Sequence, residues 1–300
     1  MPARFTAYPP DRAAIVRVID DGAAYRIGRV DECELRIDHP SVSRFHAELA
    51  IDAPDARTWT LRDTGSKNGL RVGGQLTLES RFSDSSWFAV GDVYCWLELI
   101  DTATATAFRS QTERRRAHSR ELSSRFSVSV DIGTLIPQAL DVILDMSGLE
   151  RGFVLYAPAG EPLRIRASRG IQTSDISKAS FSGSASAVEQ AIARRSSVIC
   201  CDTNDTPWLG LRPSVRLGGI RALVCIPLQL AEGASGVIYL DSRKPGPPVT
   251  ELDLELIESV AQHAATIMAV GELQGEVRDL ITSAQHIDEV APRWDELRTL

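Results

Sequence analysis

The sequence predicts a multidomain chain of mixed class: an all-β sandwich, then an α+β domain, with helices between and after them. Three observations carry this reading. Up to about residue 100, apolar and polar residues alternate in short runs broken by Gly, Asp and Pro, with no helical period. From 131 onward, segments of helical period are interspersed with runs that read as strands. At 300 residues the chain is long enough for two domains of ordinary size. The reading places the sandwich at 1–104, a helical connector at 105–126, the second domain at 127–271 and a helical tail at 272–300.

Composition narrows the function classes. Hydrophobic residues make up 43% of the chain, which is globular rather than disordered. A formal net charge of -7 argues against broad nucleic-acid binding. The N-terminus, Met1-Pro2-Ala3-Arg4, lacks the apolar core of a signal peptide. No run approaches the roughly eighteen uncharged apolar residues of a membrane span, so a cytoplasmic protein without membrane contact is expected. The five cysteines, Cys33, Cys95, Cys200, Cys201 and Cys225, have no ligand-like spacing and read as reduced thiols. Cys200 and Cys201 adjoin in a strand-like run and are expected to face opposite ways. No paired carboxylates, metal cluster or activated nucleophile stands out. His118, His263 and His286 sit in separate helical regions. An enzyme would need a nucleophile or base clustered around Cys200, Cys201, Asp202 or Cys225, for which the sequence offers only proximity; neither catalysis nor a cofactor is expected.

In the first unit, strands are read at 14–19, 25–29, 34–37, 46–51, 58–62, 69–72, 88–90 and 93–100. Three short pieces join turn-forming residues to hydrogen-bond donors: Gly28-Arg29, Ser43-Arg44-Phe45-His46 and Ser66-Lys67-Asn68-Gly69. Singly each has an ordinary structural meaning: a turn glycine, a surface arginine, a serine cap, a core histidine. In this order, within one small β unit, they suggest loops built to hold an anion. Arg29 offers a charged multidonor fork, Ser43 a hydroxyl and Lys67 a second positive charge.

The order and spacing of Gly28-Arg29, Ser43-x-x-His46 and Ser66-x-Asn68-Gly69 resemble the forkhead-associated (FHA) domain, a phosphothreonine-reading β-sandwich. The resemblance implies that Arg29 and Ser43 contact the phosphate and that Asn68 bonds the ligand backbone beside it. It implies that Arg44 and Lys67 line the pocket. Gly28, His46, Ser66 and Gly69 are then site architecture, with His46 bracing the loops and Gly69 permitting the turn. Such a sandwich can also serve as a phosphate-independent interaction module.

In the connector, Thr102–Ala107 is a small-residue run, and Gln111–Phe126 favours helix with only a thin stripe, Ala117, Leu122 and Phe126. Arg114-Arg115-Arg116 is read as a solvated helix face, with Glu113 and Arg116 paired at i,i+3. In the second domain, 131–148 is an amphipathic helix with Pro137 in its first turns. A hairpin at 151–168, a helix at 184–195, a strand at 197–201, a loop-rich segment at 202–219 and strands at 222–228 and 236–241 follow. A long helix starts at Thr250, with Asp253 three residues on. Ile220–Leu228 followed by Gly236–Asp241 is similar to the GAF domain, a small sensory module. That resemblance implies dimerisation and a pocket under 168–219 that holds either an unknown small-molecule ligand or nothing, with Trp208 either lining the pocket or packing a loop.

Val270, Leu273, Val277, Leu280, Ala284 and Ile287 recur at coiled-coil steps of three and four, and Pro292 ends or bends the helix. The whole resembles the sensory front of bacterial FHA–GAF signalling or transcriptional regulators. It implies a threonine-phosphorylated protein as partner, a homodimer through the GAF domain and flanking helices, and an output domain beyond the extending helix. A phosphate-independent dimeric scaffold with a ligand-free GAF domain is the alternative.

Overall fold

The computed structural model describes residues 1–51, 58–125, 132–171, 184–204, 209, 212–230, 234–245 and 248–290. The first domain packs two sheets around one core. β1 (Ala3–Tyr8), β2 (Ile15–Ile19), β7 (Leu70–Val72), β8 (Gln75–Thr77), β10 (Ser86–Val90) and β11 (Val93–Leu99) form one, in the order β2-β1-β11-β10-β7-β8. β3 (Tyr25–Gly28), β4 (Leu35–Arg36), β5 (Ala47–Ile51), β6 (Trp59–Asp63) and β9 (Glu79–Phe82) form the other, in the order β4-β3-β5-β6-β9. Inward residues such as Phe5, Ile27, Leu49, Leu61, Val90 and Leu97 are buried, as period-two alternation demands.

Three strands were not expected. β1 lies between β2 and β11, and its alternation is clean: Ala3, Phe5 and Ala7 point inward. Its position ahead of the first recognised strand hid it. β8 and β9 carry few β-branched residues and are short, so local propensity is silent where pairing to β7 and β6 decides.

The connector is helical from Thr102, earlier than its small-residue run suggested: α1 spans Thr102–Arg125. Asp101 starts it by accepting the Thr104 amide at 2.6 Å. The Arg114–Arg116 run lies on an exposed helix face as expected, with Arg115 and Arg116 still 41% and 38% exposed, but two of its members also make ion pairs that the sequence did not suggest. Arg115 bonds Asp253 at 2.5 Å and Arg116 bonds Glu255 at 3.3 Å, both on the long C-terminal helix; the expected Glu113–Arg116 pair is present at 3.7 Å.

The second domain is a five-stranded antiparallel sheet, β13-β12-β16-β15-β14, from β12 (Arg151–Ala157), β13 (Arg164–Arg169), β14 (Val198–Cys200), β15 (Ala222–Pro227) and β16 (Ser235–Ser242). α2 (Ile132–Ser147) and α5 (Glu251–Val290) cover one face, through Leu140, Ile143, Ile257, Val260 and Ala264 among others. α3 (Ala185–Arg194) covers the other, together with α4 (Pro213–Gly218), a short helix inside the segment read as loop. Cys200 and Cys201 face opposite cores, as expected from strand geometry. All five cysteines are free.

Thr250 and Asp253 cap α5 reciprocally: the Asp253 carboxylate accepts from the Thr250 amide (3.0 Å) and hydroxyl (2.7 Å), and the Asp253 amide donates to the hydroxyl at 3.2 Å. The first domain completes this helix start. The Glu251 amide donates to the Ala14 carbonyl at 2.9 Å, the Ala14 amide donates to Val249 at 2.7 Å, and Arg17 bonds Glu251 at 2.7 Å. Ala13 is buried in the second domain's core.

The second domain buries an ion pair between neighbouring strands. Arg151 on β12 donates to Asp241 on β16, whose side chain is 0% exposed. The Tyr239 hydroxyl donates to Asp241 at 2.8 Å and accepts the Ser184 amide at 3.0 Å, tying the pair to the start of α3. Burial pushes the Asp241 carboxyl up, while Arg151 and Tyr239 pull against that shift. Asp241→Ala removes the buried carboxylate to which both Arg151 and Tyr239 donate and is expected to destabilise the second domain by about 3–5 kcal/mol. Urea unfolding followed by circular dichroism checks this; a loss under about 1 kcal/mol would contradict it.

Candidate phosphopeptide site

The loops between β4 and β5 and between β6 and β7 meet at one end of the sandwich, and every short motif lies there. Gly28 ends β3 where the backbone of the first loop descends onto it. The Arg29 amide donates to both the Ser43 and the Arg44 carbonyl, at 3.0 and 3.1 Å. A Cβ on Gly28 would collide with the Arg44 carbonyl and lie 2.7 Å from Cys33 Sγ. Glycine is needed here for close approach rather than for its dihedral freedom.

His46 is fully buried and joins the two loops. Its Nδ1 accepts the Ser43 amide at 3.0 Å, which leaves Nε2 protonated to donate to the Gly69 carbonyl at 3.1 Å. Burial holds its pKa below 6.5, outweighing the Gly69 carbonyl and the Asp63 carboxylate, which pull upward.

Asp63 shapes the second loop. Its carboxylate accepts the Gly65 amide (2.8 Å), the Ser66 amide (2.7 Å) and the Ser66 hydroxyl (2.6 Å). Burial pushes this carboxyl up, but the Ser66 and Gly65 bonds outweigh it and hold the pKa below the usual carboxylate value. Ser66 Oγ accepts the Gly69 amide at 2.9 Å, and Gly69 sits at φ 74°, the left-handed turn expected of it. The Lys67 amide donates to Ser43 Oγ at 3.0 Å, leaving the Ser43 hydroxyl hydrogen to donate outward. Asn68 Nδ2 donates to the Ser41 carbonyl at 2.7 Å.

These loops surround an open cleft of about 640 Å³ lined by Arg29, Ser43, Arg44, Phe45, Lys67 and Asn68 among others. All five residues expected to meet the ligand line it, and the four assigned to architecture stand behind it. The sequence missed Asp63, Ser41 and Phe45. Asp63 had a local signal, since Asp-Thr-Gly-Ser is an Asx-turn sequence; Ser41 and Phe45 had none.

Charge sets this cleft apart. Among the described residues, Arg29, Arg44 and Lys67 share a cleft whose lining holds no carboxylate, and they form no ion pair. Two larger clefts, of about 820 and 1090 Å³, lie where the two domains meet. The arginines of the smaller of these, Arg4, Arg17, Arg109, Arg115 and Arg116, are each paired with a carboxylate. The larger junction cleft also holds Arg194 and Arg195, but the carboxylates of Asp11, Asp38, Glu251 and Glu258 line it beside them. Size favours the junction, but the loop cleft is lined by three cations and by no carboxylate, and that charge favours an anion there.

The FHA domain family matches residues 25–91, and the GAF domain family matches residues 129–269. The chain therefore carries an FHA domain at 25–91 followed by a GAF domain at 129–269, a pairing that implies a signalling or regulatory role. Similar solved structures include the FHA domain of CT664 from Chlamydia trachomatis, at 26% identity over 33% of this chain and 99% of that one, TM-score 0.28. Another is FHA-1 of Rv1747 from Mycobacterium tuberculosis, at 25% identity over 33% and 100%, TM-score 0.27. The GAF region of a putative membrane protein from Geobacter sulfurreducens PCA matches at 19% identity over 47% and 94%, TM-score 0.39. No curated protein matches the chain. Among the described residues no helix is long and apolar enough to cross a membrane, and no three metal-ligating side chains are grouped.

Because the folded pKa of His46 lies below 6.5, the unfolded chain takes up the proton first as pH falls. Its contribution is therefore whole above about pH 6.5 and is lost as pH drops through the folded value. Unfolding midpoints of the first domain between about pH 8 and pH 5 are expected to fall on the acid side, and less steeply in His46→Gln. Equal slopes in the two proteins would refute this.

Proposed function

We propose that this protein is a phosphothreonine-dependent docking protein whose FHA domain reads a threonine-phosphorylated partner and whose GAF domain dimerises. The convergence of Arg29, Arg44 and Lys67, unpaired among the described residues, on a cleft with the Ser43 hydroxyl carries the reading. A phosphothreonine brings a near-dianion with three acceptor oxygens. Arg29 and Ser43 take the phosphate, Arg44 and Lys67 add positive field, and Asn68 takes the adjoining main chain. No catalytic step belongs to this reading. Burial pushes the Cys225 thiol up, and Asp202 is held by Arg221 at 2.7 Å, so neither is poised for chemistry.

One observation favours a silent GAF pocket over a ligand sensor. The described side chains on the α3 face of the sheet, including Phe153, Leu209, Val215, Leu223, Cys225 and Tyr239, already form a continuous buried core. Residues 172–183 and Trp208, part of the segment over that face, lie outside the described residues. On α5, Val270, Leu273 and Val277 are 48%, 60% and 54% exposed, an unburied stripe at heptad spacing that a second copy would cover. The side chains of Leu280, Ala284 and Ile287, and Pro292 itself, lie outside the described residues.

Calorimetric titration with a degenerate phosphothreonine peptide library and its unphosphorylated twin tests the docking role. Binding is expected only to the phosphorylated set, falling at least about tenfold in Arg29→Ala, the size of one lost charged hydrogen bond. Equal binding of both sets, or none, would leave the phosphate-independent scaffold. For dimerisation, Leu273→Glu with Val277→Glu is expected to convert a dimer to a monomer in sedimentation velocity; a wild-type monomer would remove that part of the reading.

A further inference from the structure

The motifs name two loops, but a third segment is wired to both. The β10–β11 turn places the Gly91 amide 3.2 Å from the Gly69 carbonyl, which His46 also engages, and the Asp92 amide 2.9 Å from Ser41 Oγ. Arg71 donates to the Gly91 carbonyl at 3.1 Å, anchoring the turn to β7. Ser41 is therefore bonded to three parts of the site end. Its hydroxyl oxygen accepts from Asp92 and lies 2.8 Å from His39 Nδ1, which also receives the Ser41 amide at 3.3 Å. Its carbonyl accepts Asn68 Nδ2 at 2.7 Å. The hydrogen bonding is self-consistent: with Nδ1 accepting, the Ser41 hydroxyl donates to His39 and keeps a lone pair for Asp92.

Space is as closely determined as polarity. Ser41 is 8% exposed and packs against the bare face of Gly91, where a Cβ would stand 2.5 Å from the Ser41 carbonyl oxygen and 2.8 Å from its hydroxyl. At φ 60°, Gly91 holds a turn that presents its own amide and that of Asp92 to the two recognition loops. The Ser41 carbonyl thus has a location set by the sandwich frame and independent of any ligand.

That carbonyl occupies one of the two Asn68 amide protons and so fixes the plane of the Asn68 side chain. Asn68 lines the cleft, and its second amide proton and Oδ1 have no partner among the described residues, so one donor and one acceptor remain for the main chain of a peptide. We propose that Ser41, seated on Gly91, is a positioning residue for phosphothreonine recognition that acts through Asn68, setting how the reader holds the ligand's main chain next to the phosphate. This rests on the docking reading above and extends it to a residue outside the motif, at the wall of the cleft, whose role is to orient Asn68.

A double-mutant cycle with a phosphothreonine peptide selected from the library tests it on the full chain. Ser41→Ala is expected to weaken binding about fivefold or more in the wild-type background and less than about twofold in Asn68→Ala. Equal losses in the two backgrounds, or no loss in the first, overturn the assignment. A wild type that binds no phosphothreonine peptide overturns the docking reading and this inference with it, whereas phosphate-dependent binding with additive losses overturns only the role of Ser41. A second measurement needs no variant. In the free wild-type protein one Asn68 side-chain amide proton is expected to be protected from exchange, and to remain so on addition of the peptide. An amide that exchanges freely, or that leaves Ser41 on binding, overturns the proposal.

Discussion

The two hydrogen bonds of His46 hold the site end of the FHA domain together. One ring nitrogen accepts from Ser43 and the other donates to Gly69, so two loops that share no strand pairing are kept at one separation. Neither bond competes with water, because the ring is fully buried. Only the neutral ring can make both, since Nδ1 must accept; this is why burial, which favours the neutral form, and loop architecture reinforce each other. Asp63 and Ser66 shape the second loop from within, and Gly28 lets the first lie against β3. The cleft is therefore assembled before any ligand arrives, and binding need not cover the ordering of its walls.

Its charge follows from the same construction. Asp63, a carboxylate close to the cleft, is turned inward and engaged by the Ser66 hydroxyl and two amides. Arg29, Arg44 and Lys67 are left facing the opening. At the domain junction, by contrast, Arg17, Arg115 and Arg116 meet Glu251, Asp253 and Glu255 and are spent on holding the two domains together. Exposed pairs of this kind each contribute little. Their partners nevertheless crowd the first turn of α5, where the backbone of Ala14 completes a helix end that the GAF domain leaves open. The FHA domain and the helix carrying the unburied Val270–Val277 stripe are in direct mechanical contact.

Much of this was legible in the chain. Period-two alternation located most strands of the sandwich, and helical period located α2, α3 and the start of α5, because a face that must be buried leaves its spacing in the sequence. The recognition motifs were legible because glycine, serine and asparagine at fixed spacing mark turns whose geometry few other residues permit. What escaped was short or non-local. β8 and β9 exist only by pairing with β7 and β6. The ion pairs of the exposed Arg115 and Arg116 escaped because their acidic partners lie more than a hundred residues away.

The sequence by itself determined the two fold classes, the order of the domains and the identity of the side chains that line the loop cleft, since all of these depend on local spacing and on the chemistry of single residue types. Only the tertiary structure decided which cations are unpaired among the described residues, which nitrogen of His46 carries its proton, and that Ser41 stands between Asn68 and the Gly91 turn. Those are properties of contacts between segments distant in the chain, and a linear pattern holds no record of which buried donor will find which acceptor.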